Sequence, residues 1–115
     1  MDNFDIPIFK KVYDLYKSFY DLRKNFPKQD KYTLGEKCDN LILEIISHIF
    51  EASQKPKLQK LPCLEEASIK INLLRFNFRL ANDVKAMNMK SYLNLQENLD
   101  EIGRMLGGWI RTTRN

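Results

Sequence analysis

The sequence of 115 residues has few of the residues that interrupt regular structure or bind metals, with 4 Gly, 4 Pro, 2 Cys and 1 His. So few glycines and prolines favour long uninterrupted elements over many short strands. The two cysteines, Cys38 and Cys63, are too few for a disulfide framework, and we expect both to be reduced thiols. Because there is no Cys-x-x-Cys motif and His48 is the single histidine, the sequence predicts no metal site and no cofactor.

Long apolar segments are also missing. No window approaches about 18 uncharged apolar residues, so we expect no membrane span and no membrane partner. The first five residues, Met1-Asp2-Asn3-Phe4-Asp5, contain no apolar run, so we expect no signal peptide and a cytoplasmic location. With 43% hydrophobic and 30% charged residues, the composition is that of a soluble globular chain, and we expect one domain over residues 1–115.

The side-chain combinations that carry catalysis are absent as well. No glycine-rich phosphate loop, catalytic pairing of Ser with His or convergent carboxylate pair stands out in the sequence, and no Glu-x-x-His motif of the di-iron type occurs. His48 falls on or near an apolar row and is typical of a hydrogen-bonded histidine at the edge of a core. We therefore expect a binding or assembly module that is not an enzyme and has no small-molecule substrate.

Residues 26–37 separate the first predicted helix from the second. Pro27 cannot continue a helix, and it disfavours the helical conformation for the residue before it. Thr33 and Glu36 have the spacing of a capping box, with Asp30 as a competing N-cap for the next helix. A stop and a start this close together predict that the two flanking helices are antiparallel.

The apolar periodicity predicts four helices, over about residues 7–25, 33–52, 63–87 and 91–109. The breaks between them fall near 27–31, 54–62 and 88–90, and Pro56 and Pro62 mark the second break as a polar loop. Gly107-Gly108 indicate the end of the fourth helix. Trp109 and Ile110 would then fold back as a plug, followed by a mobile polar tail. The predicted fold class is all-α, an antiparallel up-down-up-down four-helix bundle.

The first helix has two apolar rows at helical spacing. One row, from Ile8 to Phe26, advances in alternating steps of four and three residues, which is typical of a bundle seam. The second row begins at Phe9 and continues through Tyr13, Tyr16 and Tyr20. This tyrosine row is either the edge of the monomer core or a subunit interface, where the apolar ring and the hydroxyl both find partners.

The third helix also has two apolar rows, one from Ala67 to Ala81 and one from Ile69 to Met87. A helix apolar over so much of its circumference must be covered from two sides, and in a short chain the second cover is most simply another copy. Gly103 and Gly107, one turn apart, suggest the close approach of another helix. We therefore expect a homo-oligomer, and the candidate interface residues are Tyr13, Tyr16, Tyr20, Phe76, Leu80, Gly103, Gly107 and Trp109.

The net charge of +4 permits nucleic-acid binding without requiring it. Arg75 and Arg79 stand one turn apart. They belong to a solvated face with an Arg79–Asp83 pair, to a basic ridge that binds phosphates, or to an interface in which they pair with Asp or Glu of a neighbouring copy. Because no motif for reading base edges is present, any contacts should be to phosphates. The first candidates are Arg75, Arg79, Arg104 and Arg111, and the second are Lys10, Lys17 and Lys24, each of which is near an aspartate.

Four motifs in order and spacing resemble one known family. They are Tyr13-x-Leu15-Tyr16, the stretch from Phe26-Pro27-Lys28 to Leu34-Gly35-Glu36, Leu74-Arg75 with Arg79-Leu80-Ala81, and Ile102-Gly103-Arg104-Met105-Leu106-Gly107-Gly108-Trp109. The chain is similar to the four-helix-bundle proteins first noted as reading frames within intervening sequences of bacterial large-subunit ribosomal RNA genes. That family includes the accessory variability determinant (Avd) of diversity-generating retroelements.

The resemblance implies a bundle that assembles as a ring-like pentamer with a positively charged surface. In the retroelement branch, Avd is a non-catalytic partner of the element's reverse transcriptase and is needed for mutagenic copying of template RNA into cDNA. RNA or DNA bound through phosphates would be the further partner. In the intervening-sequence branch, the alternative is a stand-alone structural or interaction module of unestablished function.

Overall fold

The computed structural model describes residues 6–115, and these residues form helices without any strand. Four long helices, α1 (Pro7–Arg23), α3 (Leu34–Ser53), α4 (Lys57–Asp83) and α5 (Met89–Arg114), are joined by short connections and a single-turn helix, α2 (Lys28–Lys31). The prediction of an all-α helical bundle is confirmed. The expectation about the first five residues lies outside the described part of the chain. None of the helices in the described part is long and apolar enough to cross a membrane.

Each long helix packs against two others, α1 and α4 both lying against α3 and α5. Ion pairs between neighbours show their directions. Arg23 at the end of α1 pairs with Asp39 near the start of α3 at 3.8 Å, and Arg114 at the end of α5 pairs with Glu65 in the first half of α4 at 2.9 Å. Because low numbers on one helix face high numbers on its neighbour, adjacent helices are antiparallel. The bundle is 44 Å long and places α1 and α4 at opposite corners.

The predicted seams of the first and third helices form the centre of the core. Phe19 of α1 and Phe78 of α4 are fully buried, with ring centroids 5.7 Å apart, so they connect the two opposite corners. Burying side chains of this size contributes roughly 2–3 kcal/mol each. The whole row from Ala67 to Ala81 is buried, as predicted, and Leu22 is the one half-buried member of the first-helix seam.

The predicted capping box is wrong. The Thr33 side chain accepts no hydrogen bond from the start of α3; its hydroxyl instead donates to the Gln29 carbonyl at 3.0 Å. That carbonyl belongs to α2, which occupies most of the predicted break and includes Asp30, so Asp30 is not the N-cap either. The hydroxyl binds the end of α2 because the one-turn helix leaves carbonyls without intrahelical partners.

The polar loop predicted over residues 54–62 is also wrong, because α4 begins at Lys57 and contains Pro62. A proline inside a helix costs about 3 kcal/mol. Contacts of the added turns offset that cost. The Lys60 ammonium donates to the Ala52 carbonyl at 2.7 Å and lies 6.0 Å from the centre of the Trp109 ring.

The fourth helix does not stop at Gly107-Gly108, and the plug and mobile tail predicted there are wrong. No glycine of the described residues has a positive φ, so neither glycine forms a helix-ending turn. The helix continues to Arg114, whose guanidinium pairs with Glu65 of α4 at 2.9 Å. Thr113 is buried and donates to the Trp109 carbonyl, so the last turn packs on the bundle.

Candidate phosphate and assembly surfaces

A hollow of about 340 Å³ lies between α4 and α5 and brings together two of the candidate arginines. Arg75 enters from α4 and Arg104 from α5. Because 28 residues separate them in the sequence, no local pattern predicts that they meet. The other residues around the hollow are Ser68, Ile71, Asn72, Asp100, Gly103 and Leu106. Two guanidinium groups with a hydroxyl and an amide form a set of donors suited to an anion.

Arg75 is held in place from two sides. Its Nε donates to the Asp100 carboxylate at 3.1 Å, and its Nη1 donates to the Asn72 amide oxygen at 2.7 Å. A Cβ atom on Gly103 would lie 2.6 Å from the remaining nitrogen, Nη2. The guanidinium group therefore occupies space that exists because residue 103 has no side chain. This gives Gly103 a role within one chain, whereas the sequence suggested the approach of another helix.

The charge of the hollow is uneven. The Asp100 carboxylate neutralises much of the Arg75 charge, whereas Arg104 is exposed and has no ion pair or hydrogen-bonding side-chain partner within residues 6–115. Arg104 is therefore the cation of this hollow that is available to a ligand. Arg111 lies two turns further along the same side of α5, with its guanidinium beside Gly107 and Gly108.

The other basic candidates lie outside this hollow. Arg79 is 75% exposed, and its Nε is 3.9 Å from the Asp83 carboxylate, so the pair predicted for a solvated face exists and is weak. Lys10, Lys17 and Lys24 lie on or next to α1. Lys10 pairs with Asp14 at 2.9 Å and Lys24 with Asp21 at 3.5 Å, while Lys17 lies 5.2 Å from the centre of the Tyr13 ring.

The second apolar row of α4 is exposed, and we call it the α4 stripe. Phe76 is 63% exposed and Leu80 is 37% exposed. The helical positions place this row opposite the buried row, so it faces away from the core. Met87, the predicted end of the row, is buried in the bundle instead. The α4 stripe consists of Ile69, Leu73, Phe76, Leu80 and Val84.

The tyrosine row of α1 faces α3 and forms a second partly exposed surface, which we call the tyrosine face. Tyr13 and Tyr20 are about half exposed, and Tyr16 is half-buried with its hydroxyl bonded to Asp39 of α3. Burial, followed by that hydrogen bond, raises the pKa of Tyr16. Phe50 continues the surface on α3, where its ring meets Phe9 edge-on at 6.2 Å.

Two other interface candidates have contacts within the chain. Trp109 is half-buried against the core beneath Lys60. A Cβ on Gly107 would lie 3.6 Å from Nη1 of Arg111, which is an ordinary contact distance. Neither residue needs a second subunit to explain it.

Sequence reasoning missed the partners that fix Arg75. Asn72 stands three residues earlier on the same helix, which is a recognisable helical neighbour. Asp100 lies 25 residues later, and no local pattern signals that pairing. Among residues 6–115 there is no group of His, Cys, Asp or Glu side chains arranged to hold a metal ion.

Comparisons with known proteins agree with the helical arrangement. A search of curated proteins finds no match. A family model described as bAvd-like matches residues 7–113, which is nearly the whole chain and includes all five helices except Arg114, the last residue of α5. The chain therefore belongs to the bAvd-like family.

Proposed function

We propose that this chain is a non-catalytic accessory protein of a diversity-generating retroelement. It would bind the reverse transcriptase together with template RNA or cDNA and support mutagenic reverse transcription. The observation that carries the proposal is the bAvd-like match over residues 7–113. The predicted cytoplasmic location and the single domain over residues 1–115 belong to the same proposal.

The hollow between α4 and α5 that contains Arg75 and Arg104, which we call the arginine hollow, supports contact with nucleic-acid phosphates. Arg104 is the accessible cation, while Arg75 is oriented by Asp100 and Asn72 so that Nη2 faces α5. Arg111 and Arg79 extend the basic surface on the two helices. Contacts of this kind bind any sequence and weaken as salt rises.

The two apolar surfaces support assembly into a ring. The α4 stripe and the tyrosine face lie on helices at opposite corners, so they are different patches of one protomer. Association of one patch with the other on the next copy is heterologous, and such contacts close into rings when the rotation permits. We propose five copies, as the family resemblance implies. Such a ring would carry a charge of about +20, enough to attract phosphate at low salt.

Co-purification tests the partner. The protein would be expressed with the reverse transcriptase encoded beside it and isolated through a tag on the transcriptase. The proposal predicts a stable complex of the two proteins at moderate salt. If no transcriptase gene lies nearby, and the protein does not bind transcriptases of related elements, the chain is instead a stand-alone bundle of the intervening-sequence branch.

A further inference from the structure

A second groove runs between α1 and α5. Two hollows of about 390 and 530 Å³ share Leu22, Asn25 and Ser91 in their walls, so they are continuous. Together they reach from the middle of α5 to the turn between α4 and α5. Their volumes are in the range of small-ligand sites.

The two walls of the groove carry the same pattern of residue types. Residues 18–25 contain Ser-x-x-Asp-Leu-x-x-Asn, and residues 91–98 contain Ser-x-x-Asn-Leu-x-x-Asn. The steps of three and four residues place the second set on one side of α5 and Ser18, Asp21 and Leu22 on one side of α1, with Asn25 just beyond the end of α1. All the named positions of both patterns line the groove. The pairing brings polar side chains from two distant segments to face one space.

Asparagine is the commonest residue around this groove. Asn25, Asn82, Asn88, Asn94 and Asn98 line it, which is half of the 10 asparagines in the chain. All except Asn88, whose side-chain oxygen caps α5, make no side-chain hydrogen bond within residues 6–115. Each free amide group has two hydrogen-bond donors and one acceptor atom, so a ligand in the groove would find both donors and acceptors without partners.

The charge of this groove differs from that of the arginine hollow. Asp21 and Lys85 are its charged residues, and their charges cancel. Leu95 and Met87, both buried, add apolar surface to the lining. A ligand that fits is neutral, has apolar faces and has donors and acceptors around its edge. Unpaired nucleobases have these properties, and asparagine amides are common partners of base edges.

We call the groove between α1 and α5 the asparagine groove. We infer that the asparagine groove binds unpaired bases of single-stranded RNA while the arginine hollow contacts phosphates. The inference rests on the proposed nucleic-acid binding and adds a site for base recognition that no sequence motif predicted. The protein would then discriminate between strands that carry the same phosphates and different bases.

The test compares single-stranded RNA homopolymers with an abasic ribose-phosphate strand of equal length. The full-length protein should bind at least one homopolymer about tenfold more tightly than the abasic strand. Asn94→Ala combined with Asn98→Ala should remove that difference and leave the salt dependence of binding unchanged. Both changes replace a weak helix former with a strong one, so folding is retained. Asn40→Ala, at an exposed asparagine on α3, is the matched control and should behave as the unchanged protein.

Side-chain amide signals in NMR spectra give a second readout. Signals of Asn94 and Asn98 should shift with the homopolymer and stay in place with the abasic strand. Salt-dependent binding without base preference, unaffected by the double variant, would overturn this inference and leave the phosphate contacts standing. Failure to bind any strand even at low salt would overturn the proposed nucleic-acid binding, and the inference with it.

Discussion

Gly103 of α5 and Arg75 of α4 fit together, because a Cβ on Gly103 would lie 2.6 Å from Nη2 of Arg75. At Gly108 the nearest atom to an added Cβ is 3.8 Å away, which is an ordinary contact. Alanine stabilises a helix by about 1 kcal/mol relative to glycine. Replacing each of these two glycines by alanine therefore compares a crowded position with an open one on the same helix.

We predict that Gly108→Ala raises the free energy of unfolding by about 1 kcal/mol and that Gly103→Ala gives clearly less. In the second variant the Arg75 guanidinium must move and its hydrogen bonds to Asp100 and Asn72 weaken. Urea denaturation measures both changes. In an Arg75→Ala background Gly103→Ala should recover the full gain; a small gain there too would show that Arg75 is not the obstacle.

Asp100 opposes anion binding in the arginine hollow while it holds Arg75. Asp100→Asn keeps the shape and removes the negative charge, so we predict tighter RNA binding and a loss of stability below about 1 kcal/mol. Arg104→Ala should weaken binding and reduce the salt dependence by roughly 0.7 for a single strand.

The control for charge alone is Glu97→Gln, an exposed acid of α5 that does not line the hollow. Binding isotherms at several salt concentrations give affinity and slope together. Equal effects of Asp100→Asn and Glu97→Gln would indicate general attraction and no specific phosphate site.

We predict that ionisation of Cys38 lowers the free energy of unfolding at alkaline pH. Burial raises the pKa of its thiol from 9.0 to about 12; the charge of Arg23 opposes this shift, and the charge of Asp39 adds to it. The unfolded chain ionises at the ordinary pKa, so this contribution is complete below pH 9 and is lost as the pH rises toward 12. The slope should approach about 1.4 kcal/mol per pH unit, with Tyr16 acting in the same direction. Urea denaturation at several pH values measures this slope, and Cys38→Ala should make it smaller. An unchanged slope would show that groups other than Cys38 cause the loss of stability.

The α4 stripe can be tested at Phe76. Phe76 is 63% exposed in the monomer, so Phe76→Asp should leave the fold intact. The new charge would lie on the apolar α4 stripe, so we predict that the oligomer dissociates. Tyr32, an aromatic residue 65% exposed beyond α2, is the matched control, and Tyr32→Asp should leave the oligomer intact. Sedimentation velocity gives the mass of each. A Phe76→Asp oligomer as stable as the original would remove the α4 stripe from the interface.

The sequence could predict the helices and buried rows because these depend on local periodicity. The row from Ala67 to Ala81 is an example, since its steps alone place it on one face. The ends of α4 and α5 could not be predicted in this way. Proline and glycine are local signals to stop, and distant contacts such as Lys60 with Ala52 and Arg114 with Glu65 overrode them.

The candidate sites show the same limit. Arg75 and Arg104 stood out as basic residues near known motifs, but their meeting in one hollow depends on how α4 packs on α5. The asparagine groove was missed altogether, since each half of its pattern is an ordinary helix surface until the two helices are side by side.

In the function that we propose, this protein enables a retroelement reverse transcriptase to copy its template RNA. The most direct measurement is cDNA synthesis by the purified transcriptase on that RNA, with and without this protein. We predict that full-length cDNA carrying substitutions appears only when the protein is added, and that Arg104→Ala lowers the yield. Equal yield and equal substitution frequency without the protein would contradict it.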